Sequence, residues 1–333
     1  MAIYTSNVTL RRDAGLSVMQ FALSQNFVAQ LVAPDLPMET RAGTYKKMVA
    51  RTISQLAETK ASNQGGPKKI QLEIDQDNYF CDKHWLDLPL SDTERAELAA
   101  GGFDPYAKFA RVCAQALMLR EEYDLAATLF NTTTFPLSGT TGLSVSVPWA
   151  TSATATPIED IAAGTAAINK KTGVNPDTLL VTQSGAAALS RCAQITDRIK
   201  YIAPVVQNGV LANPALAAVL GLKQIIVASA VYNIADQGQT MSGGYVWNTD
   251  NAMLFCSTPM QRNPETGMLE AAVDAQTPQL IRTLTWSEDG LGGPMDAYPV
   301  RDEEEESTNF RTKRFRHQKV SDSNFGFLFG NLD

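Results

Sequence analysis

"VNPDTLLVTQSGAAALSRCAQITDRIKY", residues Val174 to Tyr201, decides the fold class. Pro176-Asp177 breaks the chain ahead of Thr178 to Thr182, an apolar run of strand length. Ser184 then offers an N-cap hydroxyl, and Gly185 to Ala193 reads as an alanine-rich helix. A strand stepping into a helix needs further units beside it to bury its faces. The flanks supply them. Upstream, Pro157-Ile-Glu-Asp-Ile161 opens a helix that runs to Lys171 and is capped by Gly173. Downstream, Leu211 to Leu220 is a small-residue helix stopped by Gly221, and Ile225 to Ala230 is a β-branched strand. Trp149 to Tyr232 therefore reads as one compact α/β unit.

Working outward toward the N-terminus, Asp104 is an N-cap and Pro105 a first helical residue. Tyr106, Phe109, Cys113, Ala116, Leu119, Tyr123, Ala126 and Phe130 then recur at three- and four-residue steps, predicting one buried face. A helix from Pro105 to Phe130 is roughly 40 Å long at 1.5 Å per residue, the proportions of a spine. Ahead of it, Ile70-Gln-Leu-Glu-Ile-Asp75 alternates with the period of a strand, and Met48 to Leu56 can supply its partner. Between them lies the turn Asn63-Gln-Gly-Gly-Pro67, flanked by Lys60, Lys68 and Lys69. Lys46 to Phe80 thus reads as a long charged hairpin, marginal alone and in need of a surface to lie on. Residues Met1 to Glu39 read as an extended arm with one short helix over Met19 to Leu31.

Toward the C-terminus, strands are predicted over Tyr245 to Trp247, Ala252 to Cys256, Gln279 to Trp286 and Phe310 to His317. An acidic run, Asp302 to Glu306, precedes Arg311, Lys313, Arg314, Arg316 and Lys319, and the two invite pairing between subunits. Phe325-Gly-Phe-Leu-Phe329 is too apolar to dangle and is expected to pack back into the α/β unit.

Composition narrows the function. At 333 residues, 44% apolar and 19% charged, the chain is a folded protein with room for about two domains. A net charge of -7 argues against a dedicated nucleic-acid binder, which needs clustered cation excess. The N-terminus shows no apolar signal region, and Pro214 to Tyr232 is interrupted by Gly221 and Lys223, against a membrane span. Cys81, Cys113, Cys192 and Cys256 are scattered like buried thiols from a reducing cytoplasm. Catalytic equipment is sparse. Cys81 and His84 have the spacing of half a zinc site without a second pair. Gly164 to Thr172 lacks the glycine a phosphate loop needs before its lysine. No Gly-x-Ser-x-Gly surrounds Ser184, and His84 and His317 are the sole histidines. We expect no enzyme activity, no cofactor and no metal.

The ordered segments carry a resemblance. Ile195-Thr-Asp-Arg-Ile-Lys-Tyr201, followed by Leu216-Ala-Ala-Val-Leu-Gly-Leu-Lys-Gln-Ile-Ile-Val-Ala228, is its most specific part. With Lys46 to Phe80, the helix containing Leu119-Arg-Glu-Glu-Tyr-Asp-Leu-Ala126, Trp149 and Asn175-Pro-Asp-Thr-Leu-Leu-Val181, it resembles the major capsid proteins of tailed bacteriophages. The likeness covers nearly the whole chain, through order and spacing. It implies an α+β chain of the Hong Kong 97-type capsid fold, divided as follows. Residues 1–40 form an N-terminal arm and 41–82 an extended hairpin loop. Residues 83–148 and 245–309 form a peripheral domain with a spine helix at 105–130, and 149–244 with 310–333 an axial domain.

The implied role is self-assembly into hexamers and pentamers of an icosahedral shell enclosing double-stranded DNA without sequence-specific binding. The implied partners are other copies, a portal, scaffolding and decoration proteins, in a virion assembled in the bacterial host cytoplasm, with no membrane. Some relatives carry a scaffolding region ahead of the arm, and here a short arm precedes the hairpin, so scaffolding is expected from a separate protein or from a segment already removed. Some also crosslink a loop lysine to a neighbour; ordinary salt bridges are the favoured role for Lys60, Lys68 and Lys69. With Ile70, Leu72, Ile74, Glu303, Glu304, Arg314 and Arg316, these are the candidate inter-subunit contacts. Two alternatives stand beside this reading: an encapsulin-like compartment shell, and a small-molecule α/β enzyme built on Trp149 to Tyr232.

Overall fold

The computed structural model describes residues 27–48, 74–100, 105–199, 206–207, 210–211, 213–236, 238–257, 260–262, 269–271, 279–287 and 296–333. Two five-stranded sheets organise them.

The first is the α/β sheet, ordered Gly142–Ser144, Gly326–Gly330, Asn251–Phe255, Thr178–Thr182, Gln224–Ala228. Thr178–Thr182, Asn251–Phe255 and Gly326–Gly330 are buried at every position, because both faces of the sheet are covered. Such strands read as continuous apolar runs, not as alternation. On one face lie the helices Pro157–Thr172, Gln183–Arg191, Ala193–Ile199 and Asn213–Leu220, which bring Ile161, Ile168, Leu189, Ile195 and Leu216 onto Leu179, Val181, Leu254 and Phe329. A Cβ at Gly164 would stand 2.8 Å from the Phe329 ring, so a glycine is what lets the first helix approach. That helix ends as expected at Gly173, whose φ of 74° is left-handed. The other face receives the spine helix, Pro105–Leu129, through Leu125 and Leu129 against Leu180, Met253, Phe255 and Leu328.

The second sheet is centred on the 14-residue strand Ser307–Val320. Asp82–Ser91 pairs along one side of it. Asp296–Asp302 and then Ile281–Trp286 pair along the other, and Asp35–Pro37 adds in parallel to Ile281–Trp286. The hairpin strands Ala42–Met48 and Ile74–Phe80 pair antiparallel, and Tyr79 with Cys81 packs against Leu284 and Phe315 of this sheet.

Four expectations change. Asn251–Phe255 lies at the centre of the α/β sheet, not in the peripheral domain. Most of Ser307–Val320 was assigned to the axial domain, yet it is the spine of the second sheet, and the chain crosses between sheets at residues 321–325. The buried stripe of the spine helix is broader than expected: Cys113 and Ala126 are buried and Leu119 and Phe130 pack on the core, but Leu117, Leu125, Leu129, Glu121 and Glu122 are buried too, while Ala116 and Tyr123 are exposed. Finally, the last part of the arm, expected to be extended, is packed on its own chain. Val28, Ala29, Val32 and Ala33 are buried against the spine helix and the α/β sheet of the same chain. The expected arm helix over Met19 to Leu31 lies mostly outside the described residues, which show a single turn, Ala29–Val32.

Candidate assembly surface

The motif Leu119 to Ala126 fastens the spine helix to the arm and to the second sheet. Consecutive carboxylates at positions 121 and 122 point to different neighbours because a helix turns about 100° per residue. Glu122 Oε2 accepts the backbone amides of Val28 and Ala29 at 3.0 and 2.8 Å, while its Oε1 accepts the Trp247 indole N–H at 2.6 Å. One buried side chain thereby ties the arm, the spine helix and the segment after the 231–245 hairpin. Burial pushes the Glu122 carboxyl above its usual range, opposed by the hydrogen bonds from Trp247, Ala29 and Val28.

Glu121 faces the second sheet. Its Oε2 accepts Arg314 Nη1 at 2.6 Å, and Arg314 Nη2 donates to Asp35 Oδ1 at 2.7 Å. Arg316 Nη2 donates to Asp124 Oδ2 at 2.5 Å, and Gln318 Nε2 to the Glu121 carbonyl at 3.1 Å. The Arg314 and Glu121 side chains are each 2% exposed, so this pair is sealed from water. Burial pushes the Glu121 carboxyl up to about 7, with Asp35 and Glu122 adding to the rise and Arg314 and Arg316 opposing it. A carboxyl with a raised folded pKa binds more protons folded than unfolded. Its contribution is therefore present below about 4.5 and lost as pH climbs to about 7. Against Glu121→Gln, which does not titrate, wild type should lose relative stability across that window. Urea unfolding at pH 5 and 7.5 checks this, and a difference that rises with pH contradicts it.

These contacts correct the reading of Arg314 and Arg316, which were expected to meet an acidic run across a subunit boundary. Alternation along Ser307–Val320 turns Arg314 and Arg316 to the face under the spine helix and Arg311 to the opposite face. Arg311 there makes a two-pronged contact with Asp87, its Nη2 2.6 Å from Oδ2. Glu303 and Glu304 lie on the exposed turn between Asp296–Asp302 and Ser307–Val320, where Arg301 Nε stands 3.4 Å from Glu303. Lys60, Lys68, Lys69, Ile70 and Leu72 lie outside the described residues; Ile74 opens the second hairpin strand opposite Met48.

Several large apolar side chains are exposed. Trp85, half exposed on Asp82–Ser91, carries Lys83 Nζ 4.1 Å and Arg311 Cζ 4.8 Å over its ring. Among the described residues this ten-residue strand pairs only with Ser307–Val320, so its other edge is open, and Pro89 lies within it. A second group, Ile234, Met241 and Tyr245, sits on the hairpin formed by Val231–Asn233 and Gly243–Tyr245. All four cysteines are buried and unpaired, and burial raises the Cys81 and Cys256 thiols to about 11 and about 12. Among the described residues, no group of three His, Cys, Asp or Glu could hold a metal ion, and no helix is long and apolar enough to cross a membrane.

No family model and no curated protein matches this sequence. Solved structures do. A phage-related protein from Bordetella bronchiseptica RB50 overlays with a TM-score of 0.64 at 15% identity, covering 96% of this chain and 97% of that one. The capsid structure of cyanophage P-SCSP1u gives 0.55 at 11% identity over 90% and 86% of the two chains. An encapsulin complex from Synechococcus elongatus gives 0.51 at 11% over 94% and 89%. The chain has the Hong Kong 97-type capsid fold.

Proposed function

We propose that this chain is the major shell subunit of a tailed, double-stranded DNA bacteriophage, assembling into the hexamers and pentamers of an icosahedral head. The observation that carries the reading is the overlay of nine tenths or more of the chain on a phage-related protein and on a cyanophage capsid structure. The physical reading agrees. The work of this architecture is positional: buried carboxylates hold the arm and the sheets in fixed relation, and aromatic residues are left on projecting strands. Multiple weak contacts per subunit then add to a stable closed shell. The net charge of -7 suits a wall along which packaged DNA slides without being gripped. In this reading the subunit has no catalytic role, is built in the host cytoplasm, and meets portal, scaffolding and decoration proteins in the virion.

The overlay on the Synechococcus encapsulin favours a second reading, a compartment that encloses protein instead of a genome. Particles isolated from the native host decide between them. Nuclease-resistant double-stranded DNA, with absorbance higher at 260 than at 280 nm, is the expected result. Particles holding a single co-purifying enzyme and no DNA favour the compartment.

A further inference from the structure

We propose that the tip of the 231–245 hairpin docks into the helix-side cleft of a second copy of this chain, joining successive subunits head to tail. The inference rests on the shell reading and names one of its contacts.

The tip is built to be presented. Val231–Asn233 pairs with Gly243–Tyr245, and the Ile234 amide donates to the Ser242 carbonyl at 2.7 Å. Asn233 Oδ1 accepts the amides of Ala235 and Ser242 at 3.1 and 2.9 Å. Backbone held by these bonds at Ile234, Ala235 and Ser242 has little ordering entropy left to lose on binding. Yet it displays Ile234 at 73% exposure and Met241 at 61%, with the exposed carboxylate of Asp236 between them in sequence. Large apolar side chains held this far into water on a constrained turn are explained by a partner surface.

The cleft, about 780 Å³, lies between the outer face of Pro157–Thr172 and the end of Asn213–Leu220. Ile158, Ala162, Val219 and Leu220 give it an apolar lining, and the exposed side chains of Lys170 and Arg198 bring two cations to it. An apolar floor with cationic groups complements an apolar tip with one carboxylate.

Position and charge together favour another copy as the occupant. Tyr232, at the base of the hairpin, packs with the core on the spine-helix side of the α/β sheet, its ring edge-on to Tyr123 at 5.8 Å. The cleft belongs to the helices on the opposite side. With the hairpin rooted on one side of the sheet and the cleft on the other, the proposed contact joins two copies. Between subunits they form a heterologous contact, which closes into rings or continues as a filament.

The test uses the full chain and measures the critical concentration for assembly by sedimentation velocity. Wild type, Ile234→Asp/Met241→Asp, Asp236→Lys, Arg198→Glu and the combined Asp236→Lys/Arg198→Glu are compared, with thermal melts confirming that each subunit is folded. The expected result is a rise of at least tenfold for the apolar pair and of severalfold for each single reversal. The combined reversal should return most of the way to wild type, since the swapped charges again attract. Variants on both tip and cleft that assemble like wild type overturn the inference alone, as does a combined reversal no better than its parents. A wild-type chain that stays monomeric at every concentration, with and without co-expressed neighbours from the same genome, overturns the shell reading and this contact with it.

Discussion

Arg314→Ala should destabilise the subunit by about 3–5 kcal/mol, the cost of leaving buried charge without its counter-charge. The geometry says why the loss is at the top of the range for a surface-looking residue in a basic run. Removing the guanidinium strands Glu121 and Asp35, which it bridges from Nη1 and Nη2. Glu121 Oε1 and Arg314 Nε already lack hydrogen-bond partners, so the cluster is not fully satisfied even in wild type. Arg314→Met combined with Glu121→Met removes both charges while keeping volume, and should be more stable than either single change. A double-mutant cycle in urea measures the coupling, and additivity of the two single effects within about 0.5 kcal/mol would mean the pair is not the one described here.

Glu122→Ala is expected to cost a similar amount through a different route. It leaves three buried donors, the amides of Val28 and Ala29 and the Trp247 indole, without their acceptor. Each unsatisfied group costs about 1–3 kcal/mol. Glu122→Gln should recover only part of this, because its single carbonyl oxygen cannot serve both sides and its amide is itself a donor facing donors. The loss has a local signature that a general weakening lacks. Amide exchange at residues 28–33 should accelerate before exchange in the α/β sheet does, since the arm loses its anchor first. Uniform acceleration across both would contradict a fastening role.

The α/β unit was the most legible part of the chain. Gly173, Pro157 and the run Thr178 to Thr182 give one signal each, and the structure places Pro157–Thr172 and Thr178–Thr182 on those residues. The C-terminal apolar segment was legible for the same reason: Gly326–Gly330 had nowhere to go but a core. Legibility failed wherever burial and polarity part company. Glu121 and Glu122 are charged residues that the apolar periodicity leaves out, yet both are buried, while Ala116 and Tyr123 of the expected stripe are exposed. Arg314 and Arg316 read as surface charge, though they are the partners of Glu121 and Asp124, some 190 residues away in sequence. One signal was present: Arg-Glu-Glu-Tyr-Asp inside an otherwise apolar helix is costly unless cations elsewhere answer it. Sheet membership failed for a topological reason. The two sheets exchange strands late in the chain, and neither Asn251–Phe255 nor Ser307–Val320 carries a local mark of which sheet it joins.

Everything about function turns on whether purified subunits close into shells. Electron micrographs of the full-length chain, taken at subunit concentrations from well below to well above micromolar, test this most directly. Hollow isometric particles of uniform diameter, built from six- and five-fold rings, are the predicted result. Folded monomers or small discrete oligomers at every concentration, with and without co-expressed neighbours from the same genome, would contradict it.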